Sequence, residues 1–314
     1  MSEETLNVVV SGTKQVAEDV LEITLRRADH AELPSWTPGA HIDVHLDNGL
    51  VRQYSLCGDP AERNTWTIAS LRDPQSRGGS NRLHQLEYGD ALEVRGPRNH
   101  FPLANNDSFV FIAGGIGITP LLPMIKCVQT QGLPWKLHYA GRSADSMAFA
   151  QDLTEQFGDR VELYFSEHGK RMDLSQLASA IPEGTSVYCC GPERLLVAVE
   201  EEISPQLGGQ LYVERFRPRE LDTSDSSDIS VELAESGFTV EVPADRSILE
   251  VVREAGVDIE SSCEEGTCGT CETEVLDGEP DHRDSVLSDF ERELNETMMI
   301  CVSRACGRHL VLDL

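Results

Sequence analysis

The chain has 314 residues, of which 39% are hydrophobic and 25% charged, and its formal net charge is −28 at pH 7. This length exceeds the roughly 100 to 150 residues of an ordinary domain, so two or three domains are expected. A membrane span is excluded because no run of about 18 apolar residues occurs, and nucleic acid is excluded as a partner because its phosphates require a basic face. The polar, acidic start of the chain does not resemble a signal peptide, so a soluble, cytoplasmic protein is expected.

Residues 1–103 show short runs of alternating apolar residues that turn residues interrupt, as at Ile42, Val44 and Leu46. This pattern is typical of antiparallel strands. One short helix is expected over residues 81–86. We therefore predict a small antiparallel β-barrel, a fold that usually holds a ligand at its rim.

One predicted barrel strand contains the sequence RQYSL, which places Arg52, Tyr54 and Leu56 on one face and Ser55 on the other. An arginine suits a phosphate, and an aromatic ring and a hydroxyl suit a redox ring, so in the context of the motifs below this strand is a candidate flavin site. The sequence RGGS at residues 77–80 adds a cation and backbone N–H groups at a helix start. A capped helix without a ligand is the alternative.

Residues 104–220 have a different pattern, in which compact apolar strands alternate with segments of helical length. These strands are expected at residues 109–112, 137–139, 161–165 and 187–190. The alternation predicts a parallel sheet covered by helices on both faces. Ligands of such sheets bind at the carboxyl ends of the strands.

Two turns at such strand ends are candidates for nucleotide binding. AGGIGITP at residues 113–120 has glycines that permit close approach of a phosphate, and Pro120 suits the first position of a helix. CCGPE at residues 189–193 is a second turn of this kind. Arg142, after another strand, could meet the ribose or adenine of the nucleotide or be an ordinary surface residue. A tight turn of any α/β domain is the alternative interpretation of the glycine loop.

The segment at residues 217–228 is polar and rich in Ser and Asp, which predicts a tether with a linker at 221–228. The last domain, 229–314, has 21 acidic and six basic residues, a net charge of −15. This charge suits either solubility or an acidic docking face for a basic partner protein. A helix is predicted over residues 247–255, with Gly256 as its stop.

The strongest signal is four cysteines with the spacing C-x4-C-x2-C and 29 further residues before the fourth: Cys263, Cys268, Cys271 and Cys301. This is the spacing of plant-type 2Fe-2S ferredoxins. Structural zinc sites usually show two close pairs, so zinc is the weaker alternative. Gly266 and Gly269 permit positive φ within the loop and let backbone N–H groups point at cluster sulfurs.

Together these motifs resemble the phthalate dioxygenase reductase family, which includes the reductases of vanillate demethylase and carnitine monooxygenase. The resemblance covers RQYSL, RGGS, AGGIGITP, CGPE, CEEGTCGTC and MMICVSRA, in the same order. It implies a multidomain protein with three parts: an antiparallel β-barrel flavin domain at 1–103, an α/β parallel-sheet nucleotide domain at 104–220 and an α+β (β-grasp) ferredoxin domain at 229–314.

The resemblance also assigns roles to individual residues. FMN, with FAD less expected, would be bound by Arg52, Tyr54, Ser55, Gly79 and Ser80. NADH, with NADPH as the alternative, would follow a path lined by Gly115, Gly117 and Thr119, with Arg142 as a further candidate. The implied catalytic residues are Ser55, Cys190 beside the reacting nicotinamide carbon, and Phe216 as a cover over the flavin. An anchor for the linker is the alternative role for Phe216.

The implied activity is that of an NAD(P)H-dependent iron-sulfur flavoprotein oxidoreductase that supplies a terminal Rieske oxygenase. A flavin is required in such a chain because hydride carries two electrons whereas the cluster accepts one. Three alternatives stay open. They are a reductase of the same build that serves a cytochrome P450 or another acceptor, a non-enzymatic iron-sulfur carrier, and a zinc-stabilised interaction protein.

Overall fold

The computed structural model describes residues 5–46, 49–73, 78–207, 210–218 and 226–314. The chain divides into two compact units, residues 1–214 and 215–314. The expected boundary at residue 103 and the linker at 221–228 stay predictions, and residues 221–225 and Arg77 lie outside the described residues. The described part of the chain contains no helix with the length and apolar content that a membrane crossing requires.

An antiparallel sheet of six strands forms the first part of the first unit, in the order β4-β3-β6-β1-β2-β5. Its two edge strands lie next to each other, so the sheet curls into the predicted barrel. Ile42, Val44 and Trp66 are among the buried residues that fill it, which confirms the alternation seen in the sequence. The strands are β1 (Thr5–Ala17), β2 (Val20–Arg27), β3 (His41–His45), β4 (Val51–Ser55), β5 (Trp66–Leu71) and β6 (Ala91–Arg98).

The short helix of the barrel, α1 (Gly79–Leu83), begins two residues before its predicted start and ends three residues earlier than expected. The reason is Gly78, whose φ of 111° turns the chain directly into the helix. Leu86 closes the following turn through its amide, which donates to Leu83 O at 3.2 Å. The glycines therefore belong to the helix start itself.

A parallel sheet of five strands forms the second part of the first unit, in the order β11-β10-β7-β8-β9. All four predicted strands are confirmed, whereas the edge strand β11 was not predicted. The strands are β7 (Phe109–Gly114), β8 (Trp135–Gly141), β9 (Val161–Phe165), β10 (Ser186–Cys190) and β11 (Leu211–Glu214). The helices are α2 (Leu121–Thr130), α3 (Ala150–Phe157), α4 (Leu174–Ala180), α5 (Glu193–Glu202) and α6 (Ser204–Leu207).

Apolar and polar contacts join the barrel to the parallel sheet within the first unit. Val20 and Cys57 of the barrel pack in one cluster with Ala148 and its neighbours. The amine of Lys126 in α2 donates to Asp59 at 2.5 Å. These contacts bring the barrel strands close to the carboxyl ends of the parallel strands, where a nucleotide is expected.

The second unit contains a mixed sheet of five strands in the order β13-β12-β18-β14-β16. Its helix α7 (Ile248–Glu254) begins with a capping box between Ser247 and Glu250 and ends before Gly256, as predicted. A second helix, α8 (Asp289–Leu294), lies in the same unit, which has the expected α+β class. The strands are β12 (Ile229–Leu233), β13 (Phe238–Val242), β14 (Glu272–Asp277), β15 (Pro280–Asp281), β16 (Thr297–Met299), β17 (Arg304–Ala305) and β18 (His309–Leu312).

Candidate functional site

The four predicted cluster cysteines come together in the second unit as two pairs of thiols. Cys263 is hydrogen-bonded to Cys268, and Cys271 is hydrogen-bonded to Cys301. The hydrogen bond from Cys263 lowers the pKa of Cys268 to about 5 and raises that of Cys263. The same effect lowers the pKa of Cys271 and raises that of Cys301.

Two pairs of thiols fit two irons better than one zinc ion. In a cluster held by four cysteines, each of the two irons takes two thiolates and shares the bridging sulfides. A structural zinc ion instead needs its ligands to converge on one point. The cysteine spacing, with three ligands close together in the chain and the fourth much later, also differs from the two close pairs of a usual structural zinc site. The donor set therefore fits a 2Fe-2S cluster.

Backbone amides of the loop point at the thiols. The amides of Glu265 and Thr267 donate to Cys263 Sγ at 3.3 and 3.4 Å, and the amide of Thr270 donates to Cys268 Sγ at 3.4 Å. N–H groups aimed at sulfur stabilise negative charge there, which favours thiolates and a reduced cluster.

A buried aspartate behind the loop was missed by the sequence reasoning. Gly266 has a φ of 70°, and a Cβ atom at this position would lie 3.2 Å from the Cα of Asp284. The amide of Ser285 donates to Gly266 O at 2.8 Å. Asp284 Oδ2 in turn accepts from the amides of Val286 and Leu287 at 2.9 and 2.8 Å. Asp284 therefore fixes the segment that supports the cysteine loop.

The two parts of the candidate flavin site meet in the barrel. Tyr54 packs against the barrel core and Ser55 is buried on the other face, as the alternation predicts. The Arg52 side chain lies over the helix start, because a Cβ atom at Gly79 would be 2.9 Å from Arg52 Cγ. Ser80 Oγ accepts from the amide of Asp73 at 3.1 Å.

Arg52 has the character of an anion-binding residue. Its guanidinium donates to Val51 O at 2.7 Å and, within the described ranges, forms no ion pair with a carboxylate. A charged group beside a glycine turn suits a phosphate, because the turn presents backbone N–H groups. Arg52, Gly79 and Ser80 therefore fit the phosphate of a flavin.

The glycine turn and the CGP turn pack against each other at the ends of β7 and β10. A Cβ atom at Gly117 would overlap the carbonyl oxygen of Cys190. Gly115 has a φ of 55°, and a Cβ atom there would meet no atom within 4 Å. The turn therefore leaves open space at the position where a phosphate would approach.

The expectation that Pro120 is the first helical residue was wrong. Residues Gly115–Ile118 form a 3-10 turn, and α2 begins at Leu121. The buried Thr119 explains the difference, because its hydroxyl donates to Ile116 O at 3.0 Å and tightens the turn. Thr119 thus supports the nucleotide turn from within.

Glu214 is a second residue that sequence reasoning missed. It ends β11 in parallel register with Cys190, whose thiol donates to Glu214 Oε2 at 3.9 Å. Although the residue keeps some exposure, removal of its carboxyl group from water raises its pKa to about 8. Burial also raises the pKa of Cys190 well above its usual value.

Two other candidates lie in exposed positions. Arg142 forms an ion pair with Glu18 at 2.5 Å, and both side chains are largely in solvent. Such a pair is weak, so Arg142 is available to exchange Glu18 for a ligand. Phe216 belongs to the second unit and is 42% exposed, and its role over a flavin stays a prediction.

Comparison with known proteins identifies the family. The model of the 2Fe-2S iron-sulfur cluster binding domain matches residues 231–306. Phenoxybenzoate dioxygenase subunit beta of Ectopseudomonas oleovorans is 44% identical over 301 residues, which cover 95% of this chain and 94% of that protein. The solved structure of phthalate dioxygenase reductase aligns with a TM-score of 0.71 at 39% identity, over 99% of this chain and 98% of that one. The chain belongs to the phthalate dioxygenase reductase family.

Membership of the phthalate dioxygenase reductase family confirms the resemblance drawn from the motifs and the multidomain fold class. The chain is an iron-sulfur flavoprotein oxidoreductase. An intact type IV self-sufficient cytochrome P450 monooxygenase is also similar, with a TM-score of 0.92 and 48% identity over 99% of this chain. This chain spans only 41% of that P450.

Proposed function

We propose that this reductase takes electrons from NADH and passes them singly, by way of FMN and a 2Fe-2S cluster, to the terminal Rieske component of an oxygenase or demethylase system. The two pairs of thiols at Cys263/Cys268 and Cys271/Cys301 carry the proposal, because they provide a one-electron outlet. Relatives named as dioxygenase components support the choice of acceptor. A cytoplasmic location suits the nine free cysteines.

The chain's own residues position the nucleotide. Gly115 and Gly117 let the pyrophosphate approach the end of β7, and Arg142 releases Glu18 to meet the ribose. Cys190, with Glu214 beside it at the end of β11, would lie next to the nicotinamide. NADPH is the alternative nucleotide, and Arg142 is the residue at which the two would be distinguished.

The barrel positions the flavin. Arg52, Gly79 and Ser80 bind its phosphate, Tyr54 packs beside the ring and the Ser55 hydroxyl faces its redox-active atoms. Bound flavin supplies the conversion of a two-electron hydride transfer into single-electron steps. FAD is the alternative flavin, and chromatography of the extracted cofactor distinguishes it from FMN.

A reductase that serves a cytochrome P450 is the second candidate function. The 48% identity with the self-sufficient P450 monooxygenase favours it, because a part of that chain shares this whole fold. Reconstitution separates the two functions. Electron delivery to a purified Rieske oxygenase and not to a P450 haem domain supports the first.

The variant Cys268→Ser tests the electron route. It removes one ligand of the first thiol pair, so we expect loss of iron, acid-labile sulfide and cytochrome c reduction. NADH-dependent reduction of ferricyanide, which the flavin performs directly, should persist at about the wild-type rate. Cys306→Ser is the matched control, because this exposed thiol lies outside both pairs. Wild-type cytochrome c reduction by C268S would contradict the route.

A further inference from the structure

We propose that one face of the second unit, the α8 face, is the docking surface for a basic electron-acceptor protein. We define the α8 face by an exposed apolar centre, Phe290 and Leu294, and an acidic rim of exposed glutamates on α8, on the segment after it and on the adjoining strand β14: Glu293, Glu296, Glu272 and Glu274. This inference rests on the proposed function, because it presumes that the cluster donates electrons to a separate protein.

The apolar centre is unusually open to solvent. Phe290 is 69% exposed and Leu294 is 47% exposed. They lie four residues apart in α8, so they are neighbours on one side of the helix. Among the described residues of the second unit, Phe290 is the most exposed large hydrophobic side chain. An exposed aromatic residue beside a leucine is typical of the centre of a protein interface.

The helix α8 is attached to the rest of the unit by a residue other than Phe290 and Leu294. Arg292 donates to Asp284 O at 2.7 Å. The helix start is closed by a capping box between Ser288 and Glu291. The Arg292 contact therefore attaches α8 to the unit without the participation of Phe290 or Leu294.

The charge around the α8 face indicates what kind of partner protein it fits. Residues 272–296 contain ten acidic and two basic residues. Both basic residues pair with carboxylates within the unit, Arg283 with Asp281 at 2.7 Å and Arg292 with Asp284 Oδ2 at 3.7 Å. Their charges therefore do not offset the acidic rim. An apolar centre with an acidic rim fits a protein whose contact face is basic and steers its approach.

The α8 face lies beside the segments that carry the cysteines. Glu272 directly follows Cys271 and accepts a hydrogen bond from the Thr297 hydroxyl at 2.7 Å. The amide of Val275 donates to Glu296 O at 2.8 Å, which joins the end of α8 to β14. A protein bound to this face therefore contacts the strand that begins at a cluster ligand.

A second copy of the chain is a poor occupant. Each copy has a net charge of −28, and the α8 face is itself acidic, so two copies repel. A basic protein gains from the same charges. The proposal therefore commits to a basic acceptor.

The probe for the test is oxidised cytochrome c, a basic haem protein. Two double variants remove the centre (Phe290→Ala with Leu294→Ala) or reverse rim charges (Glu293→Lys with Glu296→Lys). Phe238→Ala and Glu241→Lys are matched controls on β13, at the opposite edge of the same sheet. Binding is measured by isothermal titration calorimetry at low ionic strength, and the NADH-dependent reduction of cytochrome c and of ferricyanide by steady-state kinetics.

We expect each double variant to weaken cytochrome c binding and to raise the KM for cytochrome c by about fivefold to twentyfold. In the rim variant, the binding and the KM should also lose most of their dependence on salt concentration. Ferricyanide reduction and the control variants should match the wild type. The proposal is overturned if binding, KM and salt dependence are unchanged in both double variants. It is also overturned if the wild type sediments as a dimer that F290A/L294A converts to a monomer. A wild type that reduces neither acceptor overturns the proposed function instead.

Discussion

Glu214 lies where a carboxylate is unfavourable, beside the buried thiol of Cys190. Its pKa of about 8 in the folded protein exceeds the usual 4.5, so the folded state binds its proton more tightly than the unfolded state. This contribution to stability is fully present below about pH 4.5 and is lost as the pH rises to about 8. Glu214→Gln, which stays neutral, should therefore be more stable than the wild type at pH 9 by about 1–2 kcal/mol.

Urea unfolding at pH 5, 7 and 9 measures this difference. It should grow from pH 5 to about 8 and then level off, following the pKa of Glu214. Glu201→Gln is the control, because Glu201 is an exposed glutamate at the end of α5. A stability difference for E214Q that is the same at all three pH values would show that the carboxyl group of Glu214 is not removed from water.

Arg52 is the residue on which flavin retention should depend most. Loss of a charge-assisted contact to a phosphate costs about 1.5–3 kcal/mol, so Arg52→Ala should weaken FMN binding by roughly tenfold to a hundredfold. The change is measured in two ways, by the flavin content of the protein after gel filtration and by titration of the flavin-free protein with FMN. Arg26→Ala on β2 is the matched control, since its guanidinium contacts Arg27 O and His30 instead. Unchanged occupancy in R52A would remove Arg52 from the site.

At the scale of elements, the packing of two turns determines where the nucleotide can bind. Gly117 allows the turn after β7 to touch the carbonyl of Cys190 at the end of β10. Gly117→Ala should push these turns apart, because backbone atoms cannot move as a flexible side chain can. A displacement of about 1 Å can reduce the rate of flavin reduction by NADH about a hundredfold.

Stopped-flow flavin reduction by NADH measures this effect, and reduction by dithionite shows whether the flavin and cluster are intact. Gly12→Ala in β1 is the control, because its Cβ would make only ordinary contacts with Thr24 at 3.9 Å. Rapid reduction of G117A by NADH would contradict the proposed path.

Sequence patterns were sufficient where spacing alone fixes the structure. The cysteine spacing predicted that Cys263, Cys268, Cys271 and Cys301 come together, and the helix start and stop signals predicted α7 almost to its ends. β11 was missed because its four residues are all partly exposed and show no contrast between faces. Asp284 was missed because its importance depends on contact with Gly266, far along the chain. Such tertiary contacts leave no local pattern.

At the scale of the whole molecule, the two compact units have separate hydrophobic cores. Ile229, Val252 and Met298 belong to the core of the second unit, and every buried residue of that core comes from residues 229–312. Multidomain chains often unfold in more than one step. We therefore expect two transitions in differential scanning calorimetry of the holoprotein, one for each unit.

Cofactor removal should identify these transitions. Metal binding is coupled to folding, so the cluster-free Cys268→Ser protein should unfold at a lower temperature in the transition of residues 215–314 alone. FMN added to flavin-depleted Arg52→Ala should raise the other transition less than it raises that of the flavin-depleted wild type. The second unit has a net charge of −16 and the first unit −12, so screening of the self-repulsion by added salt should raise the transition of the second unit more. A single transition that responds equally to cluster loss and to flavin would contradict two separately folded cores.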